Sequence, residues 1–197
     1  MTDRVLLLDV MGTLVHDPFY EVMPAFLGMT FDELLAVKHP TAWRDFELGC
    51  IDEPTLFARF FRDGRAFDGA GLKRATVRAY RFLAGIEELL GDLRGAGVEM
   101  HALSNYSEWW REIEARLGLS RYLAWSFVSC DTGVRKPDPE AYLLPARTLG
   151  RAPAECSFVD DREQNVAAAR AVGMDGVHFA GARGLRLALR TRGFLAH

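Results

Sequence analysis

Cysteine is scarce: Cys50, Cys130 and Cys156 are widely separated in 197 residues, odd in number and outside any metal-ligand spacing. That argues against a disulfide scaffold and a thiolate metal site, and predicts reduced structural thiols. The five histidines form no H-x-x-x-H pair, so no structural zinc is expected. No apolar run approaches the roughly 20 residues of a membrane span. The formal net charge is −3, which makes no electrostatic case for nucleic acid or an anionic membrane surface. Arg183, Arg186, Arg190 and Arg192 are spaced to share one solvated helix face. There is no internal repeat, low-complexity tract or long linker. The chain enters strand-like sequence within its first few residues, which predicts no secretion or transit signal and a cytoplasmic protein.

What is present is enough sequence for one domain with a modest insertion and a sizeable core. The segment Val5-Leu6-Leu7-Leu8-Asp9 is a short apolar run ending in a carboxylate, followed by a turn at Gly12-Thr13. Such a run predicts a buried strand of a parallel sheet. Its last residue would face the crevice at the carboxyl edge, where open α/β sheets bind ligands. Three more polar clusters follow strand-like runs: Ser104-Asn105, Lys136-Pro137-Asp138-Pro139 and Asp160-Asp161.

Between the first strand and about Arg81 the texture is helical. Patterns run over Phe31–Lys38, Thr41–Gly49, Glu53–Arg62 and Gly71–Phe82. Beyond it, helix and strand alternate: helices Ile86–Arg94, Glu108–Leu117, Pro139–Leu149 and Glu163–Val172, with strands at Val98–Leu103, Ser126–Val128 and Ser157–Val159. Alternation of this kind predicts an α/β fold, a parallel sheet with helices on both faces. Pro145 should kink or interrupt its helix. Phe57, Phe60 and Phe61 recur at helical spacing and are read as core. His101, three residues before Ser104 in a strand, should point to the opposite face.

The four polar clusters, in this order, resemble the haloacid dehalogenase (HAD) superfamily of aspartyl-nucleophile hydrolases, from Leu6 to about Gly181. Phe158-Val159-Asp160-Asp161 and the helix after it are similar to the family's fourth motif. The resemblance implies a Rossmann-like three-layer core, residues 1–15 and 83–197, with a small helical cap of the C1 class inserted at 16–82. It implies a phosphatase acting on a small phosphorylated metabolite through an aspartyl phosphate. Asp9 would be the nucleophile, Ser104 and Lys136 its catalytic partners, and Gly12, Thr13, Asn105 and His16 substrate-side residues. Mg2+ would be held by Asp9, the Met11 carbonyl and Asp160, with Asp161 assisting. Asp161 also suits a helix-start capping pattern with Gln164, and Asn105 or Ser107 suits capping of the next helix.

Met11 departs from the family pattern, which places a second Asp there as general acid and base. Met transfers no proton, though its carbonyl stays available. His16 and His101 are the candidates to supply the proton instead, with His16, just past the turn, the better placed of the two. His39, Trp43, Arg44 and Glu47 are candidates for the substrate side. The cap looks similar to plant and bacterial relatives among which flavin mononucleotide hydrolysis occurs. Two alternatives follow from the missing acid: a dehalogenase, which needs no proton donor for halide and no Mg2+, or a phosphate-binding protein that has lost turnover. A receiver domain has its acidic pair before the acceptor Asp, and here the pair comes last.

Overall fold

A computed structural model describes residues 4–196; positions 1–3 and 197, assigned above to the core, lie outside the described residues. Strand β1 (Val5–Leu8) is followed by five helices: α1 (Val22–Leu27), α2 (Phe31–Val37), α3 (Ala42–Glu47), α4 (Glu53–Arg59) and α5 (Gly69–Ala79). The chain then alternates through α6 (Ile86–Gly95), β2 (Glu99–Ser104), α7 (Trp110–Leu117), β3 (Ala124–Val128), the single turn α8 (Ser129–Thr132) and α9 (Glu140–Thr148). It ends with β4 (Cys156–Asp160), α10 (Glu163–Ala171), β5 (Asp175–His178) and α11 (Ala182–Thr191).

The five strands form one parallel sheet in the order β3-β2-β1-β4-β5. All four β1 side chains are buried, and they divide by alternation. Leu6 and Leu8 join one hydrophobic cluster, while Val5 and Leu7 join the other on the opposite face. Helices cover both faces, which is why this strand reads as a continuous apolar run. Each of its leucines contributes roughly 1.5–3 kcal/mol by leaving water. The chain leaves β1 toward β2 and β3, then returns to β4 on β1's other side. The strand order therefore reverses at β1, and the crevice beyond its carboxyl end is where such sheets bind ligands.

Local chemistry sets the helix ends. Thr30 and Glu33 form a reciprocal capping box on α2. Asp52 accepts from the Thr55 N–H at 3.0 Å, and Asp68 from the Gly71 N–H at 2.7 Å, so α5 starts two residues before the apolar pattern suggests. Helices α4 and α5 stop short of the predicted Arg62 and Phe82 because tertiary pairing takes the chain over. The His39 N–H donates to Phe60 O at 2.7 Å, and the His16 N–H to Arg81 O at 2.9 Å. Phe60 and Phe61 are buried, as expected of core residues. Pro145 does not interrupt α9, which runs through it to Thr148 with Pro145 buried in the packing.

The five helices between β1 and α6 share their apolar interior with the sheet layer. Trp109, just before α7, meets Trp43 and Phe46 of α3 edge-on, with ring centroids 5.7 and 5.6 Å apart. Among the described residues no helix is long and apolar enough to cross a membrane.

The arginines near the C-terminus are not a purely solvated face. Arg186 pairs with Glu88 and Asp92 of α6. Arg192 holds Asp175 with two bonds, 2.8 and 3.1 Å, and Arg4 adds a third at 2.7 Å. Burial pushes the Asp175 carboxyl up, but these bonds outweigh it and hold the group below its ordinary value. A depressed carboxyl stabilises the fold above its unfolded pKa, and that contribution is lost as pH falls through the folded pKa. Asp175→Asn is therefore expected to cost roughly 1 kcal/mol near neutral pH, screened at this partly exposed site. Denaturant unfolding at pH 7 and pH 3 checks this: the gap from wild type should close in acid, and equal stability at pH 7 would refute the assignment.

Candidate active site

The carboxyl ends of the three central strands deliver the polar groups. Asp9 directly follows β1, and its N–H donates to Val159 O at 2.9 Å, which extends the β1–β4 pairing and fixes where the carboxylate begins. Ser104 ends β2 and Asp160 ends β4. Lys136 arrives from the loop between α8 and α9. Its ammonium donates to Asp9 Oδ1, Asp160 Oδ2 and Leu103 O, each at 2.7 Å. Three donors meet three acceptors, so this buried cation is fully satisfied. Burial opposes its charge, but Asp9 and Asp160 prevail and raise its pKa, so the ammonium is protonated.

Asn105 holds Lys136 in place. Its Nδ2 donates to Lys136 O and its Oδ1 accepts from the Lys136 N–H, both at 2.8 Å. The amide thus clamps the backbone that carries the ammonium and does not cap α7. Asn165, which the sequence did not single out, donates to both Asp160 oxygens at 3.1 and 3.0 Å. The Arg162 N–H also donates to Asp160 Oδ1 at 2.8 Å.

Asp9, Asp160 and Asp161 each bring a carboxylate oxygen within 4.8 Å of the others. Burial is the largest influence on Asp9 and, with Asp160 and Asp161, raises its carboxyl to about 7 against the pull of Lys136. Burial and then Asp160 raise Asp161. Three carboxylates against one ammonium leave an excess of negative charge that a hard divalent cation with oxygen ligands matches. Asp161 does not cap α10, whose start carries no side-chain cap. Instead its N–H donates to Thr13 Oγ1 at 3.1 Å, so the Thr13 hydroxyl braces the turn after β1. Gly12 in that turn has φ +82°, and a Cβ there would lie 2.7 Å from Asp161 Oδ2. Glycine is what lets the carboxylate approach.

Ser104 is buried, and its Oγ has no partner among the described residues. An unmet buried hydroxyl costs about 1–3 kcal/mol, so it suits a site where a ligand oxygen completes it. Met11 lies on the wall of a cavity of about 300 Å³ that also contains Asp9, Asp160 and Asp161. His16 is not on that wall; its imidazole sits 4.0 Å from Glu21. The neighbouring Asp17 lines the cavity instead. His39 caps α3 through Nδ1, accepting from Thr41 and Ala42 N–H at 3.3 and 3.1 Å. His101, as its alternation predicts, turns away to Ser126 at 2.7 Å.

The far wall comes from the helical insertion. Phe19, Tyr20, Phe31 and Trp43 line it. Phe19 stands 5.5 Å from Tyr20, 5.7 Å from Phe31 and 5.8 Å from Trp43 between ring centroids. Glu47 of α3 pairs with Arg135 at 2.8 Å and accepts from Trp43 Nε1 at 2.9 Å. Burial raises the Glu47 carboxyl against the pull of Arg135. Arg162 reaches Tyr20 Oη at 2.9 Å. An aromatic wall thus faces a charged floor.

Comparison with known proteins agrees with this arrangement. Flavin mononucleotide hydrolase 1, chloroplatic, of Arabidopsis thaliana is 49% identical over 181 residues, spanning 92% of this chain and 74% of that protein. A sesquiterpene phosphatase of Aspergillus oryzae is 30% identical over 159 residues, covering 76% and 78%. The fold matches a HAD family enzyme of Bacteroides thetaiotaomicron, solved as a magnesium complex, with TM-score 0.77 at 20% identity over 95% of this chain and 99% of that one. The model for the haloacid dehalogenase-like hydrolases matches residues 4–173, and the chain belongs to that family.

Proposed function

We propose that the protein is a Mg2+-dependent phosphatase of small organic phosphates with a planar aromatic portion, flavin mononucleotide first among them, acting through an aspartyl phosphate on Asp9. The observation that carries this reading is the Lys136 ammonium, held at 2.7 Å from both Asp9 and Asp160 and from the carbonyl of Leu103, the residue before Ser104. Residues 16–82 serve as the cap and the rest as the core. The aromatic wall supports a flat ring system, since aromatic faces contribute stacking beyond their buried area. The Arabidopsis relative's name supports the same substrate.

Asp9, Asp160 and the Met11 carbonyl would hold Mg2+, with Asp161 assisting; the acid cluster fits a hard divalent cation. When bound, the ion neutralises phosphate charge and so permits an anion to attack it. Asp9 Oδ1 is fixed by Lys136, which leaves Oδ2 to attack phosphorus. Ser104 donates to a phosphoryl oxygen. Lys136 offsets the charge that spreads over the transferring group. Asn105 and Asn165 keep Lys136 and Asp160 aimed. The dehalogenase alternative does without metal and leaves the three clustered carboxylates unexplained.

A substrate panel tests the proposal. With Mg2+, kcat/KM for flavin mononucleotide should exceed that for glycerol phosphate by at least about tenfold, the discrimination a modest set of pocket contacts supplies. Removing the metal with a chelator should stop turnover of both. Phosphate release from neither ester, with metal-free halide release from 2-haloacids, would overturn it.

A further inference from the structure

We propose that the Asp17 carboxyl is the proton donor and acceptor at the leaving-group oxygen, standing in for the acid that Met11 cannot provide. This rests on the phosphatase reading above and adds a residue to it. Asp17 lines the same cavity as Asp9 and Met11. Its segment is tied down on both sides: before it, His16 N–H donates to Arg81 O at 2.9 Å, and after it, Val22 N–H donates to Pro18 O at 2.9 Å. Pro18 follows and restricts the Asp17 backbone further. The Phe19 N–H donates to Asp17 Oδ1 at 3.0 Å, which orients the carboxyl and leaves Oδ2 uncommitted among the described residues.

The other carboxyls on the cavity wall have different work. Asp9, Asp160 and Asp161 form the acid cluster, and Glu47 is committed to Arg135 and Trp43. Burial raises the Asp17 carboxyl against the Phe19 N–H bond, with Asp161 adding to the rise and Arg162 and His16 opposing it. Two more titratable groups feel Asp17: the phenols of Tyr80 and Tyr106, joined to each other at 2.7 Å. Tyr106 is on the wall, but burial holds its phenol far above neutrality, so it cannot serve as the base.

The proton ledger closes. In the first step Asp9 bonds to phosphorus, the ester P–O bond breaks, and the Asp17 proton passes to the departing oxygen, giving a neutral alcohol. In the second, water bonds to phosphorus, the aspartyl P–O bond breaks, and ionised Asp17 takes the water's proton. Inorganic phosphate leaves, and both carboxyls return to their starting state.

Asp17→Asn keeps the shape and an acceptor for the Phe19 N–H. Its activity on alkyl esters such as flavin mononucleotide should fall by about 10²–10⁴-fold, the usual worth of general acid–base help. An aryl phosphate, whose phenolate leaves unaided, should still show a rapid burst of one phenolate per enzyme before slow turnover, because only the second step then needs the base. Asp17→Ser, which retains a side-chain oxygen, should give the same burst. Alkyl ester turnover within about threefold of wild type in a folded Asp17→Asn protein would overturn the assignment and leave the phosphatase reading intact. Equal loss on both esters without a burst would also overturn it, since that marks a structural role. If wild type hydrolyses neither ester, both readings fall.

Discussion

Asp9→Asn is expected to abolish phosphate release, lowering kcat by about 10⁴–10⁶-fold, the scale at which enzymes lose a covalent nucleophile. That corresponds to roughly 5.5–8 kcal/mol of barrier. The amide retains an oxygen for the Lys136 ammonium and does not disturb the backbone bond to Val159. It removes one of three crowded carboxylates, so the variant should melt no lower than wild type. The pairing of a silent enzyme with an intact fold separates loss of chemistry from loss of structure. Phosphate assays and thermal melts on one preparation decide it. More than about 1% residual turnover, or a large fall in melting temperature, would contradict the role given to Asp9.

Lys136→Met should damage both catalysis and folding. It removes three hydrogen bonds at 2.7 Å and leaves Asp9, Asp160 and Leu103 O buried without their cation. Removing one partner of a buried ion pair typically costs about 3–5 kcal/mol, because the other charge stays in the interior. The rate should fall by about 10³-fold or more, as electrostatic stabilisation of a transferring group usually commands. The pH dependence gives a sharper sign. In wild type the raised Lys136 pKa means its contribution is complete below the unfolded lysine value and is lost only as pH rises through the folded one. In the variant the Asp9 carboxyl, already raised by burial, loses the cation that opposes the rise, so the folded state binds more protons than the unfolded state. Its stability should therefore increase as pH falls from 8 toward 5, and the gap from wild type should narrow. A gap that is constant or widens in acid would show that the lysine does not hold the Asp9 carboxylate charged.

Much of the fold was legible because its signal is local. Val5–Leu8 reads as a doubly covered strand, and all four residues are buried. The clusters at Asp9, Ser104 and Asp160 are legible because a parallel sheet delivers strand ends to one edge, and Lys136 because Lys-Pro-Asp-Pro marks the loop into the next helix. What sequence alone could not resolve is which way a turn faces and which distant residues meet. His16 and Asp17 are adjacent, and the pairing of His16 N–H with Arg81, 65 positions on, presents Asp17 to the cavity instead. Glu47 and Arg135 are 88 positions apart, and nothing in either segment predicts their ion pair. Asn105 reads as a cap or a ligand, and only the fold brings it to the Lys136 backbone. Strand β5, Asp175–His178, passes unnoticed because four residues at a sheet edge carry no apolar run. Arg186 and Arg192 have helical spacing, but their acidic partners come from other elements.

The chemistry at Asp9 has a direct signature. An acyl phosphate is reduced by borohydride to the alcohol, so enzyme quenched during turnover and then reduced should carry homoserine at position 9. Peptide mass spectrometry should find that change only when Mg2+ and flavin mononucleotide are both present, confined to the peptide containing Asp9 and absent from Asp9→Asn. Steady phosphate release with the change on another carboxylate, or with none at all, would contradict an aspartyl phosphate at Asp9.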